Sequence, residues 1–148
     1  MPMIDAYSVA GTFADKHQLA IDLATAVMTV EGVPAIPMFR QNTAAFIHDL
    51  PADSLSNIDG DSNYVRVQVL TTAGALDRDK QLAVVTQLTD VIAKAAGDPT
   101  LVDRTWVLLT EAIPGGWGVS GHAFTNDELV TVTRTRLAEI AAAKEATD

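Results

Sequence analysis

Cysteine is absent from the 148 residues. That removes disulfides, thiolate nucleophiles and cysteine-ligated metals from consideration. Histidine is scarce too: three residues, scattered along the chain, so no metal site is expected. Basic side chains are few, with 10 Lys and Arg against 19 Asp and Glu and a net charge of -9. Nucleic acids and anionic membranes reward basic patches, so neither is expected as a partner. An anionic ligand would need a local positive group to offset that field. No apolar run is long enough to span a bilayer, and no charged-then-apolar leader opens the chain. The expectation is a soluble, cytoplasmic protein without metal or cofactor. What remains is ordinary: 48% apolar and 20% charged residues, in a chain long enough for one domain with a real core.

Two stretches of the chain share one plan. In the first, a strand over Met3 to Val9 reaches Gly11. A helix over about Ala14 to Val30 follows, with Leu19, Leu23, Ala26, Val27 and Val30 on one face. Gly32-Val33-Pro34 stops it, and a strand is expected over Thr43 to Leu50. In the second, Val65, Val67 and Val69 alternate with Tyr64, Arg66 and Gln68, the period of a strand with one buried face. Gly74 turns the chain. A helix over about Asp77 to Ala96 is expected to bury Val84, Val85, Leu88, Val91, Ile92 and Ala95. Gly97-Asp98-Pro99 ends it before a strand over Trp106 to Leu109. Asp15-Lys16 matches Asp79-Lys80, Gln18-Leu19-Ala20 matches Gln81-Leu82-Ala83, and Gly32-Val33-Pro34 matches Gly97-Asp98-Pro99, at offsets of 63 to 65 residues.

The expected architecture is one α+β (α/β) domain built from duplicated β-α-β units. Copy one covers about 2–50, a linker 51–63, copy two about 64–111, a glycine loop 115–121 and a C-terminal helix about 126–143. Thr125 and Glu128 have the capping-box spacing that opens this last helix, and the Ala/Lys/Glu tail beyond it is expected to fray. Each crossover makes a parallel strand pair. Two units joined edge to edge give a four-stranded mixed sheet with both helices on one face. The other face, carrying Asp5, Arg66 and Gln68, needs a cover, which points to self-association.

Pro2 is the candidate chemical group. Small second residues favour removal of Met1, which would leave Pro2 with a free secondary amine whose φ the ring holds fixed. The apolar residues that follow tie this end into the sheet. An exposed start that merely carries proline is the plain alternative. Elsewhere, Gly116-x-Gly118-x-x-Gly121 does not open a helix leading to a strand, so it is not a dinucleotide loop. Asp59-x-Asp61-x-Asn63 lacks the glycine and glutamate of a calcium loop and reads as a turn.

The Met1-Pro2 start, with Gly74, Asp79-Lys80, Leu109-Thr110-Glu111 and Trp117-Gly118-Val119-Ser120-Gly121, resembles the tautomerase superfamily. The second copy is similar to 4-oxalocrotonate tautomerase along nearly a whole subunit of that enzyme. The fused length with one amino-terminal proline resembles the cis-3-chloroacrylic acid dehalogenase and malonate semialdehyde decarboxylase branches. The resemblance spans about residues 2–121. It implies the fold shared with macrophage migration inhibitory factor, a homotrimer with its sheets facing inward, and a site beside each Pro2 at a subunit boundary.

The resemblance also implies the chemistry: the proline nitrogen, as general base, moves a proton between carbon and a neighbouring carbonyl oxygen. That role needs its pKa lowered from the roughly 7.7 to 8.0 of an ordinary α-amino group, which an apolar pocket does. Ile4, Leu108 and Trp117 are the expected walls. Several positions depart from the pattern. Thr12, Thr72, Ala75 and Trp106 stand where relatives carry arginine, Met28 where the dehalogenase carries a histidine, and Leu108 and Val119-Ser120 where it carries a tyrosine and a glutamate.

Arg40, expected to begin the first copy's second strand, is the leading candidate to bind a substrate carboxylate. Arg66 is expected to pair with Asp5, and Arg104 to sit at a solvated corner. His48 could aim into a cleft or be a structural histidine, His122 reads as a rim residue and His17 as a surface one. The expected activity is keto–enol tautomerisation of a small 2-oxo acid or its enol. Hydration, dehalogenation or decarboxylation at the same site, or a vestigial trimeric binding protein, are the alternatives.

Overall fold

The computed structural model describes residues 1–146. Strand β1 (Met3–Val9) leads to α1 (Lys16–Glu31), short α2 (Pro37–Gln41) and β2 (Ala44–Leu50). Strand β3 (Val65–Thr72), α3 (Arg78–Ala96), a 3-10 turn (Pro99–Arg104) and β4 (Thr105–Ala112) repeat that order. A hairpin of β5 (Trp117–Val119) and β6 (His122–Phe124) precedes α4 (Asn126–Glu145).

The duplication builds the sheet as the repeat predicts. β1 pairs with β2 in parallel, β3 with β4 in parallel, and β1 with β3 antiparallel, giving the order β2-β1-β3-β4. One face carries Ile4, Ala6, Val65, Val67 and Val69, none more than 1% exposed. It packs under Leu19, Leu23 and Val27 of α1 and Val84, Leu88 and Ile92 of α3. Both helices begin at an aspartate cap, Asp15 accepting from Gln18 N–H and Asp77 from Lys80 N–H. Both end at a glycine in the left-handed region, Gly32 at φ 73 and Gly97 at φ 64, where a side chain would be strained. Val85, expected inside, points outward at 37% exposure, because the buried stripe of α3 follows Val84, Leu88 and Ile92.

The opposite sheet face is open. Register alignment puts Met3, Asp5 and Tyr7 of β1, Phe46 and His48 of β2, Arg66, Gln68 and Leu70 of β3, and Trp106, Leu108 and Thr110 of β4 on it. The expected Arg66–Asp5 pair does not form. Asp5 Oδ1 meets His48 Nε2 at 2.6 Å instead, while Arg66 donates to Gln68 and lies over the Tyr7 ring. Antiparallel pairing sets Arg66 opposite Tyr7, whereas parallel pairing brings His48 within reach of Asp5.

Three pieces were not expected as elements: α2, the 3-10 turn and the β5–β6 hairpin. The glycine loop is partly strand. Ser120 at φ 54 and Gly121 at φ 76 form the two-residue turn joining β5 to β6, both in the left-handed region such a hairpin requires. The last helix runs on to Glu145, past the expected end near 143, and Ala146 caps it; residues 147–148 lie outside the described residues.

Candidate active site at the chain start

The chain start is buried. The Pro2 side chain is under 2% exposed and Met1 is 3% exposed. Pro2 C=O accepts from Ala44 N–H at 3.2 Å, which extends the β1–β2 ladder back to the proline and fixes it. Above it lies an apolar cluster separate from the main core: Met1, Ile36, Phe39, Trp117 and Leu129, with Met28, Met38 and Phe124 packed against it. Local sequence explains each wall. Pro37 starts α2, which turns Ile36 and Phe39 inward. The turn at Ile113 to Gly116, closed by Gly116 N–H donating to Ile113 C=O at 2.7 Å, precedes Trp117, which packs in the cluster with Met1. A complete capping box at Thr125 and Glu128 starts α4 where Leu129 reaches the cluster.

Beside this cluster lies a cavity of about 470 Å3. Met1 and Glu31 line one side, Thr72 to Ala75 another, and Asn126, Leu129, Val130, Thr133 and Arg134 of α4 a third. Those α4 positions follow the spacing of one helical face, and Asn126 Nδ2 donates to Ala73 C=O at 2.8 Å to hold that face in place. The last helix, which lies beyond the stretch that carries the resemblance, therefore supplies a wall of the cavity.

Two ionisable groups meet in this dry corner. The Met1 ammonium lies 3.7 Å from Glu31 Oε2, and the two side chains are 0% and 2% exposed. Burial lowers the amine below its ordinary 8.0, and the Glu31 charge opposes that shift. Burial likewise raises the Glu31 carboxyl above 4.5, against the opposing pull of the amine and then Lys80. Neither Glu31 carboxyl oxygen has a hydrogen-bond partner. Lys80 Nζ instead donates to the Glu31 backbone carbonyl at 2.9 Å, at the negative end of α1. Arg134 is the one cationic side chain among the lining residues. Among the described residues nothing pairs with its guanidinium, whereas neighbouring Arg136 is bound to Glu139 at 2.8 Å.

Of the residues singled out in the sequence, Trp117 packs in the cluster that holds Met1, next along the chain to the buried Pro2. The others do not join them within one protomer. Ile4 points the other way, into the main core at 0% exposure. Arg40 lies on α2 and not at the start of a strand, because Pro37 opens a helical turn; it is exposed and borders a separate hollow with Met28 and Val33. Leu108, 43% exposed, and His48, stacked on Tyr7 at 4.3 Å, stand on the open sheet face. Arg104 is tied to Asp98, Thr100 and the Asn63 carbonyl. His17 is exposed, and His122 lies 3.4 Å from Glu128 at the hairpin edge. Glu31 and Arg134 were missed. The signal for Glu31 was available, an acidic residue one before a helix-ending glycine in an apolar context; Arg134 had none.

No protein-family model matches the chain, and a search of curated proteins finds no match. Solved structures do match. A fused 4-OT described as a wild-type asymmetric trimer superposes with a TM-score of 0.68 at 20% identity, covering 82% of this chain and 94% of that one. The chain has the tautomerase-superfamily fold, in its fused-length form. N1, a member of the cis-3-chloroacrylic acid dehalogenase family, gives 0.66 at 17% identity with 82% of each chain covered. Macrophage migration inhibitory factor from Toxoplasma gondii gives 0.62 at 13% identity, covering 82% of this tautomerase-like chain and 99% of its own. Among the described residues no helix is long and apolar enough to cross a membrane.

Proposed function

We propose that this chain is a keto–enol tautomerase of the tautomerase superfamily, acting on a small 2-oxo acid or its enol with Pro2 as general base. The observation that carries the reading is the chain start itself, held by the sheet in an apolar corner beside a cavity. Excision of Met1 leaves the Pro2 nitrogen a secondary amine at the floor of the space the methionine filled. That space is walled by Ile36, Phe39, Trp117 and Leu129, which exclude water and disfavour the ammonium form. A lowered pKa leaves the nitrogen free to take the enol proton near neutral pH. Arg134 gives the substrate carboxylate a cation in a protein whose net charge is otherwise -9.

The same reading makes the protein a cytoplasmic homotrimer. Its support is the open sheet face, with Phe46, Leu70, Trp106 and Leu108 between 36% and 50% exposed, together with the trimeric fused 4-OT structures it resembles. Hydration, dehalogenation and decarboxylation have less support, because no second water-activating group stands beside Pro2 at the positions those branches use. The burial of Met1 against Glu31 favours one other reading. With Met1 retained, Pro2 nitrogen is an amide, and the fold is that of a binding protein.

The experiment is intact mass of the purified protein followed by ketonisation of phenylenolpyruvate by wild type and Pro2→Ala. Loss of Met1 and a fall in kcat of about a hundredfold or more in the variant are expected. A retained methionine, or a variant as fast as wild type, rejects Pro2 as the base.

A further inference from the structure

Glu31 is a buried carboxyl whose two oxygens make no hydrogen bond within the fold. The duplication provides an internal control. Glu31-Gly32 ends α1 as Ala96-Gly97 ends α3, and both glycines close the helix in the same left-handed conformation. The second copy thus makes an identical helix end with alanine. It also has a corresponding hollow, of about 390 Å3, lined by Ala96, Gly11, Thr12, Asn63 and Tyr64. There the chain passes through unbroken, the Asn63 carbonyl is held by Arg104, and the acid in the lining, Asp98, is itself paired with Arg104 and hydrogen-bonded to Thr100. Only the copy with a chain start carries an acid directly before its closing glycine, with no hydrogen-bond partner.

A helix-end carboxylate is ordinarily unfavourable, since it faces the negative end of the dipole. Burying one without a hydrogen bond adds a desolvation cost of about 1–3 kcal/mol or more. The Lys80 charge offsets part of this, but its ammonium donates to the backbone carbonyl of the residue and not to its side chain. The residue is nevertheless placed against the cavity, 3.7 Å from the terminal nitrogen.

We propose that Glu31 is the second proton-handling group of this site, the general acid opposite the Pro2 base. The inference rests on the tautomerase reading above. Within one residue the chain advances at most about 3.6 Å, so the Glu31 carboxyl lies within about 7 Å of the Pro2 nitrogen. The space between is what Met1 occupies, and it fits the reacting atoms of one planar enol. The enol O–H proton passes to the Pro2 nitrogen as the C–O bond becomes a carbonyl. The electron pair of the carbon–carbon double bond takes the Glu31 proton, forming the new C–H bond. The site is left as Pro2 ammonium and Glu31 carboxylate, and the proton returns from nitrogen to carboxyl once product departs. Burial raises the Glu31 carboxyl, the terminal amine and Lys80 from α3 oppose that rise, and Arg134 of α4 lines the same cavity.

The test uses mass-verified, Pro2-initiated protein and the ketonisation of phenylenolpyruvate by wild type, Pro2→Ala, Glu31→Gln and Glu31→Asp. Folding is checked by circular dichroism and assembly state. Glu31→Gln is expected to lower kcat by about a hundredfold with KM nearly unchanged. It should also remove the high-pH fall of the kcat profile, which reports loss of the Glu31 proton. Glu31→Asp should keep that limb with a reduced kcat, and decides the matter if the amide variant does not fold. Loss of activity in Pro2→Ala alone, with the high-pH limb intact in Glu31→Gln and wild-type kcat in Glu31→Asp, overturns the role of Glu31 and leaves the base standing. Loss in Glu31→Gln with Pro2→Ala fully active overturns the Pro2 base, and the pairing with it.

Discussion

The substitution Leu108→Asp should dissolve the assembly without unfolding the protomer. Leu108 stands midway along the edge strand β4, on the open sheet face, with 43% of its surface exposed, and Phe46, Leu70 and Trp106 share that face at 50%, 36% and 39%. Completing the burial of one such half-covered side chain contributes about 1 kcal/mol, so the four supply about 4 kcal/mol per protomer before the cost of association. Aspartate at 108 loses its share and adds a carboxylate that assembly would desolvate beside apolar neighbours, at least about 2 kcal/mol more. The sum is about 3 kcal/mol per protomer and about 9 per trimer, or roughly six orders of magnitude in the association constant. The core face of β4 is untouched, so the fold should survive. Light scattering on a sizing column, run at tens of micromolar, should read a trimer for wild type and a monomer for the variant, with matching circular dichroism. A monomeric wild type, or a variant that assembles equally well, would refute the assignment of this face as an interface.

Two further perturbations probe the surroundings of the site. Thr125→Ala removes the side-chain half of the α4 capping box, at a cost of about 1 kcal/mol. Because Asn126 to Arg134 wall the cavity, hydrogen exchange should quicken in that segment and KM should rise, and unchanged exchange would show that the cap does not hold the wall. Asp98 is held below its ordinary 3.8 by hydrogen bonds from Thr100 and by Arg104. Its contribution is therefore fully present above 3.8 and lost as pH falls through the lower folded value. Asp98→Asn, which keeps the turn but not the charge, should flatten the acid limb of a thermal-unfolding profile, and an unaltered limb would assign that limb to other carboxyls.

The neighbourhood of the terminus shows how far local signals reach. Val65, Val67 and Val69 alternate because a strand alternates, and Gly32 and Gly97 follow helices because only glycine takes that backbone angle without strain. These effects act between residues a few positions apart, so they were legible. Arg40 went astray for a local reason as well: the proline three positions earlier starts a helical turn, and the β-rich sequence after it masked this. Leu108 was selected as an apolar wall on the resemblance and His48 as a residue that could aim into a cleft, and neither ground says which side of the sheet the cavity lies on.

The amino-acid sequence by itself determined the duplicated strand–helix–strand plan, the stripes that form the core, the open sheet face and the unusual proline near the start. Backbone sterics and the period of apolar residues are short-range, and each copy carries them twice over. Only the tertiary structure decided that the last helix closes the cavity, that Trp117 folds onto the chain start, and that a carboxyl at position 31 and a guanidinium at position 134 face the same space. Those meetings join residues about a hundred positions apart. They follow from how a tight turn and a capped helix aim the chain in three dimensions, which no local pattern encodes.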